Sequence, residues 1–329
     1  MQGIIMNEKK IQIGGQAVIE GVMMRGPEHI ATAIRRIDGS IEVQKKPFVS
    51  LTKNHPIYKL PIIRGFVSLI EMLKIGIQTL NYSANVWEED AKKADENTRS
   101  FEANDGAASE NQKSNSLKKK MEEVLTIGIA LALAILMFGI VPYWLSSLLN
   151  LDKQNLLFNL FAGSVRIVFF VVYVYSISFM KDIKRVFEYH GAEHKVVTAY
   201  ENKAPLNVES VKQFSTIHPR CGTSFMFIVL LIAILLFSLI DTFVVWKLDF
   251  TPNAIQRFLY HLPFIPLISG ISYEFLKISE RKAKNCFIKL FIKPGMALQK
   301  ITTQPPDDSQ LEVAIVALKE AVGIMDNFQ

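Results

Sequence analysis

SFMFIVLLIAILLFSLIDTFVVW, residues 224–246, decides what kind of protein this chain makes. Its only charged residue is Asp241, close to the end of the run. No polar stripe recurs at helical spacing, so a helix built from it has no face suited to water. The hydrocarbon layer of a bilayer is about 30 Å thick and takes roughly 20 apolar residues to cross as a helix. This run is long enough.

Three more runs of that kind lie around it. Residues 124–149 carry no charge, and residues 156–180 carry only Arg166. Residues 255–276 are the weakest, with Arg257, His261, Pro263, Pro266 and Glu274 inside them. The expected fold is therefore an α-helical integral membrane protein with four transmembrane helices, over residues 124–276. Half of the 329 residues are hydrophobic, and they are gathered into runs rather than spread through the chain. The net charge of +6 sits beside those runs, not in an aromatic-interleaved patch, which excludes a nucleic-acid partner and leaves the lipid bilayer as the expected one.

The basic residues also set the orientation. The connector 181–223 holds seven Lys/Arg, and the stretch 277–300 holds seven against one Glu. The links 150–155 and 247–254 hold one Lys each, and Lys118, Lys119 and Lys120 precede the first run. Positive loops stay inside, so both termini and the central connector are expected to face the cytoplasm. The first twelve residues have no apolar core, so no cleaved signal peptide is expected. Cys221 and Cys286 both fall in cytoplasmic segments and are expected as free thiols.

The flanking regions read differently. Residues 1–59 contain alternating runs at 16–23, 31–37 and 41–44, the last two joined by Asp38-Gly39, a hairpin signal. That predicts a small β-containing cytoplasmic region. Residues 60–84 place Arg64, Ser68, Glu71, Gln78 and Asn81 at steps of three, four or seven, one polar stripe on an apolar helix. An amphipathic helix on the inner membrane surface is expected, with a re-entrant element as the alternative. Residues 85–123 are too polar to bury a core and are expected to be a disordered linker. Residues 277–329 form a cytoplasmic tail with a closing helix from about residue 310, capped by Asp308 or Ser309.

Candidate chemistry concentrates in the connector. His190 and His194 are four apart, so on a helix both rings leave one face, with Glu193 at its edge and Glu201 returning to it. This H-x-x-E-H order suits two imidazole metal ligands and a carboxylate that takes a proton from water. Further ligands are expected from His218, Cys221 or Glu274. Arg25 or Arg220 would bind an anionic group on a substrate. The donor set suits a divalent metal, zinc before others. A plainer reading has the His pair bonding loop carbonyls, His218 capping a turn, and Glu274 pairing with Lys277 or Arg281. A third has Cys221 as a nucleophile with His218 as its base. Residues 14–27 hold four glycines and a proline around Glu20 and Arg25, either a structural turn closed by that ion pair or part of the His site. Arg166 must face the bundle interior or water, with Tyr173 or Glu274 as candidate partner.

The runs 14–27, 182–195, 218–225 and 294–303 together resemble the YqhQ-like family of bacterial multi-pass membrane proteins of unknown function. The resemblance covers nearly the whole chain outside residues 85–121. It implies a predicted metal-dependent enzyme and names no substrate. Residues and resemblance lead to one first expectation, a hydrolase-like metal enzyme at the cytoplasmic interface acting on a small-molecule, lipid or peptide substrate. Two other classes fit the same chain: a transporter or channel using Arg166, Glu274 and His261, as a homo-oligomer because four spans are few, and a membrane scaffold without catalysis.

Overall fold

The computed structural model describes residues 13–102, 121, 125–126, 128–148, 156–248, 252–281 and 285–324. The chain is mostly helical, with one small sheet near its N-terminus. Strands β1 (Gly14–Val18), β2 (Gly21–Arg25), β3 (His29–Arg35) and β4 (Ile41–Pro47) pair in sequence order, all antiparallel. The Asp38-Gly39 hairpin forms as the sequence indicates. Gly39 takes a positive φ of 85°, and Asp38 Oδ1 accepts from Ser40 N at 2.9 Å. The run 16–23 is not one strand. It folds back at Ile19 and Glu20, with Glu20 at φ 53°. Neither central residue is Gly or Asn, but Gly21 follows them, and the glycine-rich run around Glu20 is where the sequence indicates a turn.

The described residues divide into two compact units. The first takes those of Met1–Ala91, Tyr175–Ile228 and Ser269–Gln329. Its core lies where α4 (Lys181–Glu201) and α9 (Asp308–Val322) cover the sheet. Val22, Met24, Ala31 and Ala33 meet Tyr189, Ala192 and Val196 from α4, and Leu311, Ala314 and Leu318 from α9. The helix residues recur at three- and four-residue steps, which is why one face of each is buried. Each fully buried Leu there contributes about 1.5–3 kcal/mol. Asp307 caps α9 in a capping box with Gln310, one residue earlier than expected, and Gly323 closes it at φ 74°.

Helix α1 (Ile63–Glu102) opens in the same unit. One face lies on the sheet: Ser83 Oγ accepts from Ile19 N at 3.2 Å, and Asp90 takes Arg36 Nε at 3.1 Å. A neighbouring stripe, Ile70, Leu73, Ile77 and Leu80, stays 43–56 % exposed. The helix corrects the expected linker as far as residue 102. Alanine, glutamate and lysine favour helix there, and Arg36 ties Asp90 down. Residues 103–120 of that expected linker lie outside the described residues.

The second unit takes Lys92–Val174 and Val229–Ile268. Among the described residues three helices are long and apolar enough to cross a membrane, Gly128–Ser147 (α2), Leu156–Ile177 (α3) and Gly222–Lys247. The last belongs to α5 (Gly222–Leu248). The fourth expected span is not continuous. It forms α6 (Ala254–His261), a 3-10 turn Leu262–Phe264 and α7 (Ile265–Arg281), broken where Pro263 and Pro266 remove backbone donors. Arg166 meets neither expected partner. Its Nε donates to the Phe138 carbonyl at 2.9 Å, in the π-helical turn Leu136–Ile140. Asp241 gathers Arg257 at 2.8 Å, His261 at 2.8 Å and the Tyr260 hydroxyl, so this carboxylate and the Arg257 guanidinium are paired.

Candidate metal centre

Helix α4 carries His190 and His194 on one face, and two features fix that face. Gly191 sits so close to the Gln304 backbone that a β-carbon would lie 2.1 Å from its carbonyl oxygen. Gln304 N in turn donates to Phe187 O at 2.9 Å. The chain leaving α8 (Cys286–Thr302) is thus laid along α4.

The two rings are then held from behind. His190 Nδ1 contacts Thr302 O at 2.8 Å, and His194 Nδ1 contacts Thr216 O. A carbonyl only accepts, so each Nδ1 carries the ring proton and each Nε2 presents its lone pair. Cys221 Sγ lies 3.2 Å from His190 Nε2. Ligand atoms of His190, His194 and Cys221 all fall within 4.8 Å of one another. Cys221 is buried just ahead of α5, and its sulfur also takes Thr223 N at 3.4 Å.

Glu193 flanks the trio. Its Oε2 is 3.5 Å from His194 Nε2, and its side chain is almost wholly buried. Burial holds its carboxyl above the usual carboxylate range, against the pull of His190, His218 and the Gly15 N–H. Burial also pushes the His194 imidazole below its ordinary value. Gly15 makes the room: a β-carbon there would sit 2.6 Å from Glu193 Cγ. This links the glycine-rich run to the His site through its backbone.

The other expected residues are placed elsewhere. His218 Nδ1 accepts from Arg220 N at 3.3 Å, which puts its proton on Nε2, facing Glu201 Oε2 at 3.7 Å. That nitrogen has no lone pair for the trio, although the ring lies 5.7 Å from His194. Arg220 is committed to Glu201. Glu274 is bound by Arg64, with Nε at 2.6 Å, and it is outside the trio; the side chain of Arg281, one of its expected partners, lies outside what the structure describes. Glu20 is held by Arg185 and by the Tyr189 hydroxyl at 3.3 Å, so the expected Glu20–Arg25 pair is absent.

One positioning residue escaped the sequence reading. Gln299, fully buried on α8, accepts from His218 N at 2.9 Å and donates to His218 O at 2.9 Å and Ser224 Oγ at 2.8 Å. It brackets the loop that delivers Cys221. A lone amide on the apolar face of an amphipathic helix was the available signal.

No solved structure matches this chain. It is similar to an uncharacterized protein YqhQ of Bacillus subtilis (strain 168), 33 % identical over 308 residues, which covers 93 % of this chain and 91 % of that protein. The profile of a family described as "Protein of unknown function (DUF1385)" matches residues 60–324, a span holding both histidines, Glu193 and Cys221. By these two matches the chain belongs to that family of proteins of unknown function.

Proposed function

We propose that this protein is a multi-pass membrane enzyme whose divalent-metal centre, zinc by donor chemistry, is formed by His190, His194 and Cys221 at the inner membrane surface. One observation carries the reading. Both imidazoles are pinned through Nδ1 to backbone carbonyls of different segments, and their Nε2 atoms are turned toward a buried thiol. Metal-binding histidines are held in that way. Three protein ligands leave a position open, the pattern of catalytic rather than structural zinc.

An ion held there supplies a Lewis acid for hydrolysis. Glu193, buried beside the trio with Oε2 3.5 Å from His194 Nε2, would take a proton from the attacking water. The Lys/Arg balance of the connectors supports a cytoplasmic site, with both termini on that side.

A second reading rests on the 3.2 Å contact between Cys221 Sγ and His190 Nε2, with Thr302 O orienting the ring. That is a thiol nucleophile with His190, not His218, as its base. The two readings part at His194, which only the metal centre needs. Metal analysis of detergent-purified protein decides between them. A stoichiometric divalent ion in the wild type, lost in His194→Ala, supports the metal centre. A metal-free wild type whose activity survives His194→Ala and dies in Cys221→Ser supports the thiol.

A further inference from the structure

Arginine side chains inside a protein find oxygen, because five N–H donors left dry are costly. Among the arginines whose side chains are described, one departs from the rule. Arg35 reaches Glu312, Arg36 reaches Asp90, Arg64 reaches Glu274, Arg185 reaches Glu20, Arg220 reaches Glu201 and Arg257 reaches Asp241, while Arg166 takes a backbone carbonyl. Arg25, at the end of β2, has no oxygen acceptor among the described residues. Its Nη1 points at Met72 Sδ, 2.9 Å away, and its guanidinium lies over the Phe48 ring at 4.4 Å from the centroid. Sulfur and a ring face are weak substitutes for oxygen. Glu71 is within electrostatic reach, but its oxygens accept from Ser50 Oγ at 2.9 Å and Leu51 N at 2.8 Å. Burial weakens the guanidinium's hold on its proton more than Glu71 and Tyr273 restore it.

We infer that Arg25 is an oxyanion-binding site, taking a phosphate or carboxylate borne on an apolar group that rests against Phe48 and Met72. A planar guanidinium offers such a group two parallel donors. The site adjoins the proposed centre through the sheet. Arg25 follows Met24, whose register partner Gly15 packs on Glu193. As a substrate contact the site rests on the metal-enzyme reading; as an oxyanion site it stands by itself.

The test uses the full chain in dodecyl maltoside micelles, with dodecyl phosphate and inorganic phosphate as probes. Binding is followed by calorimetric titration, and metal content is measured on the same samples. The wild type is expected to bind dodecyl phosphate saturably, and Arg25→Gln to bind about tenfold more weakly or worse at unchanged metal content. Arg25→Lys keeps the charge without the fork and should fall between them. Saturable binding of dodecyl phosphate alone assigns the site to an amphiphile, and binding of both assigns it to a free oxyanion as well. If neither probe binds the wild type, or if Arg25→Gln and Arg25→Lys bind like it, the inference is overturned and Arg25 is only a counter-ion for Glu71. The wild-type titrations stand whether or not a variant folds. A wild type that binds phosphate but holds no metal fails the enzyme reading and leaves this one intact.

Discussion

At the scale of single residues, the proposed centre depends on which atoms are already occupied. His190 and His194 were legible in sequence because a four-residue step fixes a shared helix face whatever the tertiary fold. Their anchors, Thr302 O and Thr216 O, were not, since any residue type can offer a carbonyl. Glu274 was expected near the histidines because an acid at the end of a span attracts attention. It serves Arg64 instead, 210 positions away, and no local pattern announces such a partner. Two glycines make a sharp comparison. Gly14 has nothing within 4 Å of where a β-carbon would be, while Gly15 has Glu193 at 2.6 Å. Gly15→Ala should therefore cost about 1–3 kcal/mol by overpacking, and Gly14→Ala should change stability little, by thermal unfolding of the two variants. Equal unfolding temperatures would show that Glu193 and the Met23 carbonyl, 2.8 Å from the same β-carbon, both give way freely.

At the scale of elements, α8 and α9 contribute most to placing the site. Gln299→Met on α8 keeps the volume but removes the side-chain hydrogen bonds to the His218 N–H and carbonyl. A loss of about 1–3 kcal/mol is expected, together with a lower metal content, because the Cys221 loop is no longer held. Unchanged metal content would remove Gln299 from that role. The cap of α9 gives a pH-dependent prediction. Burial raises the Asp307 carboxyl's pKa, but N–H donation from Gln310 and the hydroxyl of Ser309 outweigh it, so the net value lies below the ordinary one. A depressed folded pKa gives stability that is present above the unfolded value and lost as pH falls through the folded one. Asp307→Ala should thus cost about 1 kcal/mol at neutral pH, and that gap should close in acid, as read from unfolding curves at a series of pH values. The hairpin between β1 and β2 shows where element prediction stops. Asp38-Gly39 advertises its turn, whereas Ile19 and Glu20 turn because Glu20 is clamped by Arg185 and Tyr189 from α4.

At the scale of the whole molecule, the apolar runs were the plainest signal, and three of the four expected spans are single helices long enough to cross a membrane. The fourth was legible as apolar but not as broken, because two prolines three residues apart interrupt the backbone without changing the hydropathy. The orientation proposed from the charge balance is open to direct test. Cys286 is exposed and Cys221 is buried. A membrane-impermeant maleimide should label Cys286 in inverted vesicles and not in intact cells. Labelling from outside would reverse the assigned topology.

The proposal that His190, His194 and Cys221 form one metal centre is tested most directly by elemental analysis of the full chain purified in detergent without added metal. Stoichiometric zinc or another divalent ion is predicted in the wild type, with loss in His190→Ala, His194→Ala and Cys221→Ala alike. A wild type free of bound metal, or variants that retain it in full, would contradict the centre.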